Sequence, residues 1–71
     1  MEDNATRFKK VAVRRTNVIL KQLRLLSNCA NKHNYSYSDA DVDKIFKAIE
    51  EQLKETKSEF AKGNKKGTFS L

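Results

Sequence analysis

Proline is absent from this chain of 71 residues, and its only two glycines are Gly63 and Gly67. Proline removes a backbone donor and breaks helices, and glycine is the next weakest helix former. Apolar residues also recur at intervals of three and four, which is the period of an amphipathic α-helix. These features predict an all-α protein whose long helices are separated by one polar segment.

The first helix is predicted over residues 6–32. Its main apolar stripe contains Phe8, Ala12, Ile19, Leu23, Leu26 and Ala30. Further apolar residues flank this stripe: Val11, Val18, Leu25, Val13 and Leu20. This face is wider than contact with one neighbouring helix requires. We therefore expect the first helix to pack against two other helices, as in a bundle.

A loop and a second helix are predicted after it. Residues 31–37 read NKHNYSY, and their asparagines and serine indicate a loop. Ser38 followed by Asp41 is a capping-box pattern, with aspartate in place of the usual glutamate. The second helix is predicted over residues 39–62, and Gly63 stands where glycine commonly ends a helix. Its apolar stripe contains Val42, Ile45, Phe46, Ile49, Leu53, Thr56 and Phe60. Residues 64–71 lack a period and predict a flexible basic tail.

Two antiparallel helices with a short connection form a helical hairpin, which we predict for residues 1–63. So short a chain rarely builds a sufficient core, and it usually needs a disulfide, a metal or a partner. Cys29 is the only cysteine, so it cannot form an internal disulfide. Cys29 and His33 alone do not complete a zinc site, and we expect Cys29 to be a small core residue.

Association is the remaining way to complete the core. We predict a homodimer in which two hairpins form a four-helix bundle. A permanent complex with a larger protein and a marginally stable lone hairpin are the alternatives.

Positive charge is concentrated in the first half of the chain. Residues 1–34 carry eight basic and two acidic side chains, whereas residues 35–71 carry seven of each. No acidic residue lies between Asp3 and Asp39. Five basic residues share one line along the first helix, and we call them the cationic ridge: Arg7, Lys10, Arg14, Lys21 and Arg24. Asn17, Asn28 and Asn31 are predicted to lie along the same line.

The cationic ridge predicts a surface for nucleic-acid phosphates. Lysine and arginine neutralise phosphates and release counterions, and asparagine can donate to a phosphate or contact a base edge. Arg15 is a sixth candidate cation. Tyr35 and Tyr37 are candidates for stacking on unpaired bases, but we expect rather that one or both fold back over the open end of the bundle. We predict a basic nucleic-acid-binding protein or an accessory factor of a nucleoprotein complex.

Two other interpretations stay open. One is a protein partner, either a larger protein on which the wide face of the first helix docks or an acidic protein that contacts the cationic ridge. The other is that the ridge is a solvated face without a partner. No arrangement of nucleophile, base or metal ligands stands out, so we predict no enzymatic activity, metal, cofactor or small-molecule substrate. No membrane span or secretory signal is recognisable, and we expect a cytoplasmic protein.

Residues 14–46 also resemble a known group of sequences. The segments RLL at 24–26, NKHNYSY at 31–37 and DVDKIF at 41–46 are similar to those of small basic proteins predicted in bacterial and mobile-element genomes. The resemblance implies a bacterial or mobile-element origin and carries no mechanism.

Overall fold

The computed structural model describes residues 3–68, and it describes side chains for residues 3–63. Within this part of the chain all regular structure is helical. Helix α1 spans Asn4–Ser27, a short 3-10 turn spans Asn28–Ala30, and helix α2 spans Asp39–Thr68. The prediction of an all-α chain with two long helices is confirmed. The two helices belong to separate structural units, which we describe one at a time.

Helix α1 begins with an aspartate cap. Asp3 has an extended backbone, and its Oδ1 accepts a hydrogen bond from the Thr6 N–H at 2.7 Å. That bond satisfies one of the backbone donors left over in the first helical turn. It also lowers the pKa of Asp3, with a smaller contribution from the Thr6 side chain. We predicted a start at residue 6, so the helix begins earlier than expected.

The end of α1 also differs from the prediction. The helix stops at Ser27, whose hydroxyl donates to the Leu23 carbonyl at 3.1 Å. Asn31 has left the helical conformation, and its side-chain oxygen accepts from the His33 N–H at 3.0 Å. Short polar side chains compete in this way with the helical hydrogen-bond ladder. The α-helix therefore ends before residue 32, and residues 31–38 form the loop.

Helix α2 begins at the predicted capping box. The Ser38 hydroxyl accepts from the Asp41 N–H at 3.1 Å, and the Asp41 carboxylate accepts from the Ser38 N–H at 3.0 Å. The two bonds satisfy two terminal donors reciprocally. The sequence prediction of this boundary is confirmed.

At its other end α2 continues through Gly63 to Thr68. Glycine ends a helix when it adopts a left-handed conformation, and no described residue has a positive φ. Gly63 is therefore an interior helical residue, and the predicted cap at this position is wrong. Of the predicted tail, residues 64–68 continue α2, and residues 69–71 lie outside the described residues.

No side chain among residues 3–63 is buried. Ile19 on α1 is 59% exposed, and Phe60 on α2 is 60% exposed. Cys29, which we predicted as a core residue, is also exposed. Amphipathic helices owe most of their stability to burying an apolar face, so both helices still need a surface to cover them.

Neither α1 nor α2 contains, among its described residues, an apolar stretch that could reach across a bilayer.

Candidate nucleic-acid interface on α1

All five cations of the cationic ridge lie on α1 and are exposed. A period of 3.6 residues places them within an arc of about 100° around the helix. With a rise of 1.5 Å per residue, the row extends about 25 Å from Arg7 to Arg24. The ridge is thus a band of positive charge along one side of a continuous helix.

The neighbouring amides are only partly placed as predicted. Asn17 falls within the arc of the ridge, and Asn28 continues its line as the C-cap of α1; both are exposed. Asn31 does not lie along the ridge, because its backbone is extended and its side-chain oxygen accepts from the His33 N–H. The placement of Asn31 on the ridge is therefore wrong, since it assumed a helix that reached residue 32.

Arg15 is exposed on α1 but lies away from the cationic ridge. Helical geometry places it about 120° around the helix from the centre of the ridge. At that position it interrupts the main apolar stripe between Ala12 and Ile19. A ligand that lies along the ridge would therefore not reach Arg15 from the same side.

The cationic ridge stands on a helix whose own residues include no aspartate or glutamate. Arg7 donates to the side-chain oxygen of Asn4 at 3.0 Å. Arg24 lies in the last turn, where the helix dipole favours a cation. In α2, by contrast, Lys62 and Glu59 form an exposed ion pair at 3.3 Å. Such a pair adds little stability, but it shows how α2 balances its charges locally.

The two loop tyrosines differ in exposure. Tyr35 is 52% exposed, and its backbone N–H donates to the Asn31 carbonyl at 3.0 Å. Tyr37 is half-buried. The loop therefore offers one open aromatic face, at Tyr35.

In the described part of the chain, no three His, Cys, Asp or Glu side chains gather where they could hold a metal ion.

Comparison with known proteins adds no relative to this description. The chain matches no family model, no curated protein and no solved structure. The origin implied by the resemblance of residues 14–46 stays a prediction.

Proposed function

We propose that this protein is a non-enzymatic nucleic-acid-binding protein that contacts phosphates through the cationic ridge of α1. One observation supports this most: five exposed cations stand in line on a helix that contains no carboxylate. A face that serves only solubility normally mixes both signs, as α2 does. Phosphate neutralisation with counterion release is the interaction that such a row favours.

We further propose that the chain folds as an antiparallel hairpin and completes its core as a four-helix bundle with a second copy. Apolar residues on α1 spread over an arc of about 240°, from Leu25 through Ile19 to Val13. Covering them would leave the cationic ridge as the main part of α1 in contact with solvent. Two copies related by a two-fold axis would then present two ridges.

The test is a binding titration with labelled random-sequence DNA and RNA, each in single- and double-stranded form. We expect binding at low salt that weakens steeply as the salt concentration rises. A variant with Arg14→Gln, Lys21→Gln and Arg24→Gln removes three of the five ridge charges. At 0.1 M salt we expect it to bind roughly a hundredfold or more weakly, because each phosphate contact contributes nearly tenfold.

A matched variant on α2 separates the ridge from net charge. Lys44→Gln, Lys47→Gln and Lys54→Gln lower the net charge from +6 to +3, as the α1 variant does. These three lysines are exposed and lie on the side of α2 away from its apolar stripe. We expect them to affect binding far less than the α1 triple. Equal loss in both variants, or no binding by the parent at low salt, would contradict the proposal.

A second candidate is a protein-interaction module that docks α1 on a larger partner. The exposure of its apolar residues supports it, with Ile19 and Val13 both 59% exposed. Sedimentation equilibrium of the purified chain distinguishes the two candidates. A tight homodimer favours the first, because it uses the apolar face, whereas a monomer that binds hydrophobic dyes favours the second.

A further inference from the structure

The cationic ridge contains charge and amide groups but no aromatic ring. The aromatic residue of α1, Phe8, belongs to the main apolar stripe, about 140° around the helix from the ridge centre. Surfaces that bind single strands combine a positive groove with aromatic side chains on which successive bases stack. The ridge lacks that second component.

The loop does not supply the missing platforms. Tyr35 is exposed, whereas Tyr37 is half-buried, and both belong to residues 31–38 rather than to α1. A bound single strand needs several stacking surfaces along its path. One open tyrosine beyond the end of the helix does not form such a path.

The shape of the ridge favours a stiff ligand. Its cations are held in a row of about 25 Å by a continuous helix, and duplex DNA is rigid over much longer distances. A flexible single strand would have to be ordered along the row at an entropic cost. An α-helix about 10–12 Å across also fits the major groove of B-form DNA, which is about 12 Å wide. The major groove of A-form RNA is too narrow for side chains to read.

Building on the proposed function, we infer that the ligand of the cationic ridge is double-stranded DNA in the B form. Helix α1 lies along a groove, and the five cations contact phosphates at its edge. Asn17 and Asn28 share the line of the ridge and are the groups available to base edges. Because phosphates provide most of the contacts, binding depends strongly on salt and only weakly on sequence.

The experiment compares three labelled probes of one sequence: a DNA duplex, the corresponding single strand and an RNA duplex. A probe of about 20 base pairs is roughly twice the length that α1 spans at 3.4 Å per base pair. We expect the full chain to bind the DNA duplex at least about tenfold more tightly than either other probe, since only this probe combines stiffness with an accessible groove.

Two variants sharpen the result, and circular dichroism checks that each keeps its helices. The first is the variant with Arg14→Gln, Lys21→Gln and Arg24→Gln. For duplex DNA, the slope of log K against log salt concentration should be shallower by about 2.7 per chain in this variant, which corresponds to three phosphates. Tyr35→Ala should leave binding to the DNA duplex within about twofold of the parent, because no base is available for stacking.

Other outcomes overturn the inference in distinct ways. Equal or tighter binding of the single strand, or a large loss with Tyr35→Ala, means that stacking dominates while the proposed function survives. Equal affinity for the RNA duplex removes the B-form requirement. Absence of binding to all three probes at low salt overturns the proposed function itself.

Discussion

Helices α1 and α2 are both long and amphipathic, but they distribute their side chains differently. The large apolar residues of α2 occupy an arc of about 100°, whereas those of α1 spread over about 240°. The polar side of α2 mixes lysine with aspartate and glutamate, whereas α1 carries seven basic residues and no acidic one. Helix α2 thus has the pattern of a structural helix with one apolar face. Helix α1 carries both a wide apolar face and the cationic ridge.

This difference separates the tasks of the helices. A narrow stripe is covered by one neighbour, while a wide face needs contacts on two sides. In the proposed bundle, the arc of α1 left facing solvent would coincide with the cationic ridge, so assembly and ligand binding would use different sides of one helix. Substitutions on α1 should therefore fall into two classes, whereas those on α2 should affect stability alone.

The largest expected effect tests the width of the α1 face. Ile19 and Leu20 lie about 100° apart around α1, so one neighbouring helix would not cover both. In the proposed bundle, Ile19→Ala and Leu20→Ala should each destabilise the assembly by about 2–5 kcal/mol, the usual cost of truncating a buried aliphatic side chain. Thermal unfolding and sedimentation equilibrium measure the change.

Substitutions on α2 provide the matched comparison. Leu53→Ala, within the α2 stripe, should cost about as much as the α1 variants. Lys47→Ala, on the opposite side of α2, should stay within about 0.5 kcal/mol of the parent. If Leu20→Ala behaves like Lys47→Ala, the part of the apolar face of α1 that packs in the assembly is no wider than that of α2.

The next effect concerns the start of α2. Ser38→Ala removes the hydroxyl that accepts from the Asp41 N–H and breaks one half of the capping box. We expect a loss of about 1 kcal/mol in the free energy of unfolding, measured by urea titration at neutral pH. Ser36→Ala is the control, since Ser36 lies in the same loop outside the capping box. Equal losses would show that the cap does not contribute specifically.

The start of α2 was predictable because its signal is local. Ser38 and Asp41 are three residues apart, and their two hydrogen bonds involve no distant residue. The end of α1 was not, because asparagine is tolerated in helices. In the structure Asn31 has an extended backbone, and its side-chain oxygen accepts from the His33 N–H. Gly63 likewise ends a helix in one conformation and continues it in another.

For the candidate site, periodicity predicted which cations share a line, but not the ligand. Five residues of the ridge fall on one arc because α1 is continuous from Arg7 to Arg24. Asn31 was misplaced because the expected helix was too long. The apolar width of α1 and its charge do not by themselves identify a ligand, because affinity also depends on the complementary surface that the ligand presents.

A smaller effect is expected at the other end of α2. Gly63 is helical, and a Cβ added there would meet nothing within 4 Å. Gly63→Ala should therefore stabilise α2 by up to about 1 kcal/mol, because alanine loses less backbone freedom in a helix. Ala61→Gly, two residues earlier, should have the opposite sign and similar size. Circular dichroism during thermal unfolding measures both, and destabilisation by Gly63→Ala would show that the helix needs glycine there.

The smallest effect is at the start of α1, where the cap is a titratable group. Its hydrogen bond from the Thr6 N–H lowers the pKa of Asp3, so the folded state favours the ionised carboxylate. A lowered pKa means that the stabilisation is present above the ordinary value of 3.8 and is lost as the pH falls through the lower folded value. Asp3→Asn keeps a capping oxygen without the charge. Above the ordinary pKa the parent should show more order over the first turn of α1, measured by amide exchange at Thr6. The two proteins should converge as the pH falls through the lowered pKa of folded Asp3, because a protonated aspartate resembles asparagine. A difference that persists at low pH would mean that the carboxylate charge does not order this end of α1.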